Sequence, residues 1–264
     1  MKRLIFSLLY CDGNFMLSRN FRLQKVGSID WVFKNYDIEN ITNYIDELML
    51  INLSREKNSN KLFLNNLKKL SKKTFIPITV GGKIESEKDV ENLLDSGADK
   101  VLINTLFFKN PKMCQSISKR YGKQFLMGSI DYARPKKKVK VFDSSTGKFS
   151  SLGIGKWIDH LLKFGAGEVL LQSIDHDGTG NGIDLQILKS INKKKYPLIL
   201  MGGVGNHDHI VNALKNKNID AISTANIFNF IGNEFLNIRH VLEKKIGLPK
   251  KTNMKIQNFK YFFK

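Results

Sequence analysis

Two groups of residues in this sequence have the types and spacing that chemistry needs. Asp131 closes the segment Gly128-Ser129-Ile130-Asp131, while Asp175, Asp177 and Thr179 follow the apolar run Val169–Leu171 and lead into the glycine-spaced loop Gly178-Thr179-Gly180-Asn181-Gly182. A strand covered on both faces reads as a continuous apolar run with its polar groups gathered at the tip, so carboxylates here suit proton transfer. The pairs Gly81-Gly82 and Gly202-Gly203 form the second group, since their backbone N–H groups can face a phosphate. Each feature also has a plainer reading: Asp-Gly and Gly-Gly are common turns, and Asp131 can be a satisfied structural acid. Lys83, directly after Gly82, either adds a positive charge to the first cradle or points to solvent.

The elements that would position these residues alternate regularly. Strand-like runs recur at Leu4–Leu9, Leu48–Leu53, Ile76–Val80, Val101–Ile103, Phe125–Ile130, Val169–Leu171, Leu198–Met201 and Ala221–Ser223. Helical patterns lie between them at Lys61–Leu70, Ser86–Leu94, Pro111–Tyr121, Ile154–Phe164, Leu185–Ile191 and His207–Leu214, with a last one at Glu234–Lys245. The first crossover, Asp30–Tyr44, has irregular apolar spacing. Ser86 is placed to cap one helix and Pro111 to begin another. Eight strands alternating with helices predict an α/β fold, a single TIM (β/α)8 barrel spanning residues 1–264.

Internal repetition divides that barrel into halves about 120 residues apart. Val80-Gly81-Gly82 matches Met201-Gly202-Gly203, and Gly97-Ala98-Asp99-Lys100-Val101-Leu102-Ile103-Asn104-Thr105 is echoed by Asn218-Ile219-Asp220-Ala221-Ile222-Ser223-Thr224-Ala225-Asn226. A duplicated half-barrel predicts two quasi-symmetric phosphate cradles, and hence an elongated ligand phosphorylated at both ends. The first would use Gly82, Lys83, Asn104 and Thr105 and the second Gly203, Ala225 and Asn226, with Asp177, Gly178 and Thr179 as further phosphate- or substrate-binding residues. The half-barrel counterpart of Asp131 is Leu9, so no second carboxylate is expected opposite it.

Composition narrows the classes. A chain of 264 residues with 42% hydrophobic content supports a globular core, and no apolar stretch is long enough for a membrane span. The basic, apolar start reads as a first buried strand rather than a cleaved signal, and two cysteines point to a reducing cytoplasm. The net charge of +19 favours anionic ligands, but its lysines lie in short scattered runs without interleaved aromatics, which argues against nucleic acid. The five histidines lack metal-ligand spacing and no dinucleotide fingerprint occurs, so neither metal nor cofactor is expected.

Taken in order, Gly81-Gly82, Asn104-Thr105, Ser129-Ile130-Asp131, Ser173-Ile174-Asp175-His176-Asp177-Gly178-Thr179 and Gly202-Gly203 make the chain resemble the cyclase subunit of imidazole glycerol phosphate synthase. The resemblance runs from Arg3 to about Phe230. It implies a barrel that receives ammonia from a separate glutaminase subunit, as a heterodimer, and uses it to cleave and cyclise a doubly phosphorylated ribonucleotide. It also implies that Asp131 is catalytic, that Arg3, Glu47, Lys100 and Glu168 form an ammonia gate, and that Asp99 meets the glutaminase. Strand-start ion pairing is the plainer reading of those four charges.

The resemblance is incomplete on the catalytic side. Leu9 stands where the family has an acid, Leu17 where it has a lysine, Asn52 where it has an acid, Lys83 where it has a glycine and Asn226 where it has a serine. In this the chain more closely resembles a divergent branch associated with amidation of bacterial surface sugars, whose members are thought to pass ammonia to a sugar-modifying amidotransferase. Three readings stay open: an ammonia-delivering subunit of that kind, a true histidine-pathway cyclase with Asp12 as substitute acid, and a noncatalytic scaffold that activates a glutaminase.

Overall fold

The computed structural model describes residues 2–36, 38–56, 59–192, 196–225 and 234–249. Strand β1 (Arg3–Cys11) leads into a hairpin of β2 (Asn14–Arg19) and β3 (Arg22–Gly27), followed by short helices α1 (Ile29–Tyr36) and α2 (Ile38–Ile41). Then come β4 (Glu47–Asn52), α3 (Ser59–Ser71), β5 (Ile78–Gly81), α4 (Glu87–Asp95), β6 (Lys100–Ile103), α5 (Thr105–Lys109), α6 (Pro111–Tyr121) and β7 (Leu126–Ala133). A second hairpin, β8 (Lys140–Asp143) and β9 (Lys148–Phe149), precedes α7 (Ile154–Lys163), β10 (Glu168–Ser173), β11 (Leu198–Met201), α8 (His207–Leu214), β12 (Ala221–Thr224) and α9 (Glu234–Ile246).

Eight of these strands pair in parallel in the order β1, β4, β5, β6, β7, β10, β11, β12, and β12 returns to β1, so the sheet closes into the expected TIM barrel. Period-two alternation sorts each strand. Ile5, Met49, Leu102, Met127, Leu170, Ile199, Met201 and Ala221 fill the interior, while Leu4, Phe6, Leu8, Leu48, Leu50, Val169 and Leu171 face the helices. Extending that alternation puts Arg3, Glu47, Lys100 and Glu168 inside at the amino ends, and Leu9 and Asp131 inside at the carboxyl ends.

The expected start signals hold: Ser86 and Asp89 form a reciprocal capping box on α4, and Pro111 opens α6 behind the Asn110 cap. One expected helix does not form, because Leu185–Ser190 is a 3-10 segment. Asp184, placed to cap it, makes no cap bond there and instead accepts hydrogen bonds from Tyr132 and Arg134. Asn226 lies outside the described residues.

Both hairpins are additions to the eight-strand reading, and both rise from equivalent strands of the two halves. The first turns at Asp12-Gly13 (φ +44° and +87°) and again at Asn20-Phe21 (φ +51° and +61°). Its tip is fastened to the loop after β10: Ser18 Oγ donates to Asp177 Oδ2 at 2.5 Å, Phe21 N to the same oxygen at 3.0 Å, and Asn20 N to the Asp177 carbonyl at 2.9 Å. Gly178 is required beneath it, since a Cβ there would sit 2.1 Å from the Ser18 carbonyl oxygen and its φ is +65°. Gly178→Ala should therefore cost about 1 kcal/mol or more and release the tip. Faster hydrogen exchange at the Asn20 and Phe21 amides would report it, and unchanged exchange would disprove the dependence.

Candidate functional site

At the carboxyl end of the barrel, Asp131 is the central group. Its Oδ2 accepts from Asn104 Nδ2 and from Ser144 Oγ, each at 2.9 Å. Asn104 sits at the junction of β6 and α5, and Ser144 comes from the β8–β9 turn. Burial pushes the Asp131 carboxyl up to about 6 against the opposing pull of those two hydrogen bonds, and the Asp177 charge adds to the rise. An acid poised there can exchange a proton near neutral pH.

The cradle glycines are forced by protein as much as by any ligand. A Cβ on Gly82 would lie 1.9 Å from the Asn52 carbonyl oxygen at the end of β4, and one on Gly203 would lie 2.0 Å from the Gly182 carbonyl oxygen in the loop after β10, so each tip abuts the preceding strand's end or loop. Lys83 adopts φ +54°, and its Nζ donates to the Glu56 carbonyl at 2.6 Å, which ties the end of β5 to the β4–α3 loop and leaves its charge beside Gly82. Thr105 opens α5, Thr179 bonds back to the His176 carbonyl at 2.9 Å, and Ala225 packs against the interior layer. Asp175 accepts from Arg134 N at 2.7 Å. No group of residues suited to a metal occurs among the described residues, and no helix among them is long and apolar enough to cross a membrane.

At the opposite end, four charges close a ring of alternating sign. Arg3 reaches Glu47 at 2.9 Å and Glu168 at 2.6 Å, and Lys100 reaches the same two carboxylates at 3.3 and 3.1 Å. Burial alone would raise the Glu168 carboxyl, but Arg3 and then Lys100 hold it below its usual range. Thr79 also donates to Glu47, which is buried. A repeated strand-start motif sets the ring's height: Asp46, Asp99 and Asp220 each accept from the backbone N–H of the neighbouring strand, at Leu4, Ile78 and Leu198, all at 2.8 Å. The residues after the first two are Glu47 and Lys100, whereas Ala221 follows Asp220 and pairs with Arg3, leaving room for the guanidinium. Asp99 thus has a structural role in addition to its exposure at this end.

The model of the histidine biosynthesis protein family matches residues 32–232. Over 232 residues, 88% of this chain and 86% of the relative, the sequence is 40% identical to a Parasynechococcus marenigrum (strain WH8102) protein with the provisional name imidazole glycerol phosphate synthase subunit hisF2. It is 34% identical to the imidazole glycerol phosphate synthase subunit HisF of Bacillus cereus (strain G9842) over 232 residues, 87% of this chain and 90% of that one. For the HisF of Bacillus cereus (strain Q1) the figures are 35% over 187 residues, 70% of this chain and 74% of that one. The chain belongs to the HisF-like histidine biosynthesis proteins.

Against that family, the departures at the mouth take on a definite form. In this HisF-like barrel Leu9 is buried on β1, four strands round from β7 and so across the mouth from Asp131. Asp12 does not take its place. That carboxylate is exposed on the β1–β2 turn, and although desolvation opposes it, bonds from the Cys11 thiol and from the Glu56, Arg55 and Ser54 loop hold it below its usual range. Leu17 lies on β2 opposite Gln24, and Asn52 is buried with its Oδ1 accepting from Ser54 N at 3.1 Å and its Nδ2 unpartnered. Sequence reasoning missed Ser144 and Ser18, because a serine in a turn carries no positional signal until the hairpin is known; the turn-rich Asp143-Ser144-Ser145-Thr146-Gly147 between Phe142 and Lys148 was the available clue.

The raised Asp131 carboxyl has a stability consequence. The folded protein binds this proton more tightly than the unfolded chain does, so stability should fall as pH climbs from about 4 to about 6 and stay lower above that. Asp131→Asn should therefore stabilise the protein by roughly 1–3 kcal/mol at about pH 7.5, with the gain vanishing near pH 4. Thermal melts across that range check it, and a gain that ignores pH would contradict the cost of the buried charge.

Proposed function

We propose that this chain is the ammonia-receiving barrel of a glutaminase-coupled heterodimer, a lyase-type cyclase-like subunit whose ammonia serves acetamidino formation on a bacterial surface sugar. One contrast carries the reading. The charge ring at the amino end is complete, while the mouth has Leu9 where an acid would face Asp131. A ring in which every charge has two opposite neighbours excludes water at modest cost and opens when one pair is drawn away, which suits passage of a small neutral molecule. The glutaminase would dock at that end, beside Asp99. Ring closure of the histidine-pathway ribonucleotide needs proton transfer on both sides, and losing one general acid or base costs roughly a hundredfold or more.

A second reading, authentic imidazole glycerol phosphate synthase cyclase, is favoured by one observation. Asp177 is close enough to Asp131 to raise it, so the mouth has a second carboxylate beside the first, although not across from it. The Bacillus relatives bear that name.

Purified barrel mixed with its glutaminase should stimulate glutamine hydrolysis, and Lys100→Ala should break the link between hydrolysis and ammonia use. Stoichiometry of glutamate formed against ammonia released to the medium measures this, and unchanged coupling would leave the ring a purely structural device. Against the histidine-pathway ribonucleotide the wild type should be nearly inactive, and Leu9→Asp should raise turnover by roughly tenfold or more. Wild-type turnover at a rate ordinary for that pathway would sink the amidation reading in favour of the second.

A further inference from the structure

Asp131 and Asp177 are both buried, at 7% and 6% exposure, and no lysine or arginine forms an ion pair with either among the described residues. In a chain of net charge +19 such a pair is conspicuous. Asp177 has its compensation from Ser18 Oγ and Phe21 N. Asp131 is only half compensated, because Asn104 and Ser144 both donate to Oδ2 and nothing described donates to Oδ1. Beside it, Asn104 Oδ1 is buried without any partner. Asn104 directs one amide N–H to Asp131, and the group it leaves buried without a partner is an acceptor. An orphaned acceptor next to a carboxylate oxygen with a free face calls for a ligand that brings N–H donors.

We propose that Asn104 Oδ1 and Asp131 Oδ1 form a paired-acceptor subsite for a nitrogen bearing at least two protons, as ammonium, an amine or an amidinium does, and that Ser144 is the positioning residue that orients it. The Ser144 hydroxyl and the Asn104 amide both bond Oδ2, which fixes the carboxylate beside the Asn104 amide group and leaves Oδ1 without a described donor. Ser144 is itself delivered by a preformed turn: the Asp143 carboxylate accepts from Ser145 N at 2.9 Å, Ser145 Oγ at 2.7 Å and Thr146 Oγ1 at 2.9 Å, and these bonds hold its carboxyl below its ordinary range against the pull of burial. The first hairpin also supplies a serine to a mouth aspartate, but to a different position: Ser18 on β2 binds Asp177 in the loop after β10. Geometry therefore gives each hairpin one serine and each serine one mouth aspartate. The charged group facing Asp131 among the described residues is Asp177, which disfavours its ionisation and favours a cation beside it.

This subsite deepens the ammonia-receiving reading and rests on it for its biological ligand, but its test needs neither glutaminase nor acceptor. Protein labelled with carbon-13 at the aspartate carboxyls, with Asp131 assigned from the signal missing in Asp131→Asn, is titrated at about pH 7.5, where Asp131 is largely ionised. The probes are ammonium, acetamidinium and tetramethylammonium chlorides. Acetamidinium and ammonium should shift the Asp131 signal saturably, and tetramethylammonium, which has the charge without the N–H donors, should not. Ser144→Ala should weaken acetamidinium binding about tenfold and raise the Asp131 titration midpoint by about one pH unit, and Ser144→Thr should restore both. Equal shifts from all three salts, no saturable shift at all, or a Ser144→Ala protein that titrates and binds as the wild type does would each overturn the subsite. A barrel that couples to its glutaminase yet fails these titrations loses the subsite alone, whereas one that binds acetamidinium but never couples loses the partner reading alone.

Discussion

A closed barrel has no edge, so every side chain that points inward must find its compensation among the other strands. That constraint governs both ends of this molecule. Where the interior is apolar, Ile5, Met49, Leu102, Met127 and Leu170 simply fill it. Where it is charged, at the amino ends, partial burial makes a lone ion expensive, and the solution is a ring in which Arg3 and Lys100 are each shared between Glu47 and Glu168. Sharing has a mechanical corollary. No single pair closes the ring, so one charge can move while the remaining three stay partly compensated.

The carboxyl end meets the same constraint with neutral donors. Asp131 and Asp177 receive hydroxyl and amide hydrogen bonds rather than cations, and hydroxyls stabilise a carboxylate less than an ion pair does. The result is an acid lifted to about 6 by burial instead of one locked in its ionised form. Because Ser144 comes from the β8–β9 hairpin, which stands outside the eight-strand wall, the proton affinity of Asp131 depends on where that hairpin rests. The first hairpin is held just as closely to the loop after β10, because its backbone occupies the space that any side chain at Gly178 would need.

How much of this could be read from the chain follows from which signals are local. The eight strands were legible because burial on both faces writes itself as apolar runs, whereas the four ring charges came from the family resemblance, their positions at strand starts alone suggesting only ion pairs. The hairpins were not, since β3 is largely exposed and β9 is two residues long, so neither has a hydrophobic period to detect. Asp177 was legible as a site residue but not as the anchor of the first hairpin, a contact made across 159 positions of sequence. The helix expected at Leu185–Ile191 failed for a related reason: its capping acid, Asp184, is claimed by Arg134 and Tyr132 from a distant strand, and tertiary contacts outbid local ones.

Net charge shows the opposite separation of scales. A formal +19 suggests a site full of cations, yet Lys68, Lys69, Lys136, Lys137 and Lys138 are all exposed, and at physiological salt an exposed charge is screened beyond about 8 Å. No lysine figures among the groups that shift Asp131; the neighbouring charge that raises it is Asp177. The surface field acts on anions in solution and raises their local concentration at the barrel, while the acid in the mouth is tuned by its own burial and one like-charged neighbour. The two can vary independently. Lysines on the outside of such a barrel are screened by solvent, whereas an inward residue such as Leu9 lies buried at the mouth across from Asp131.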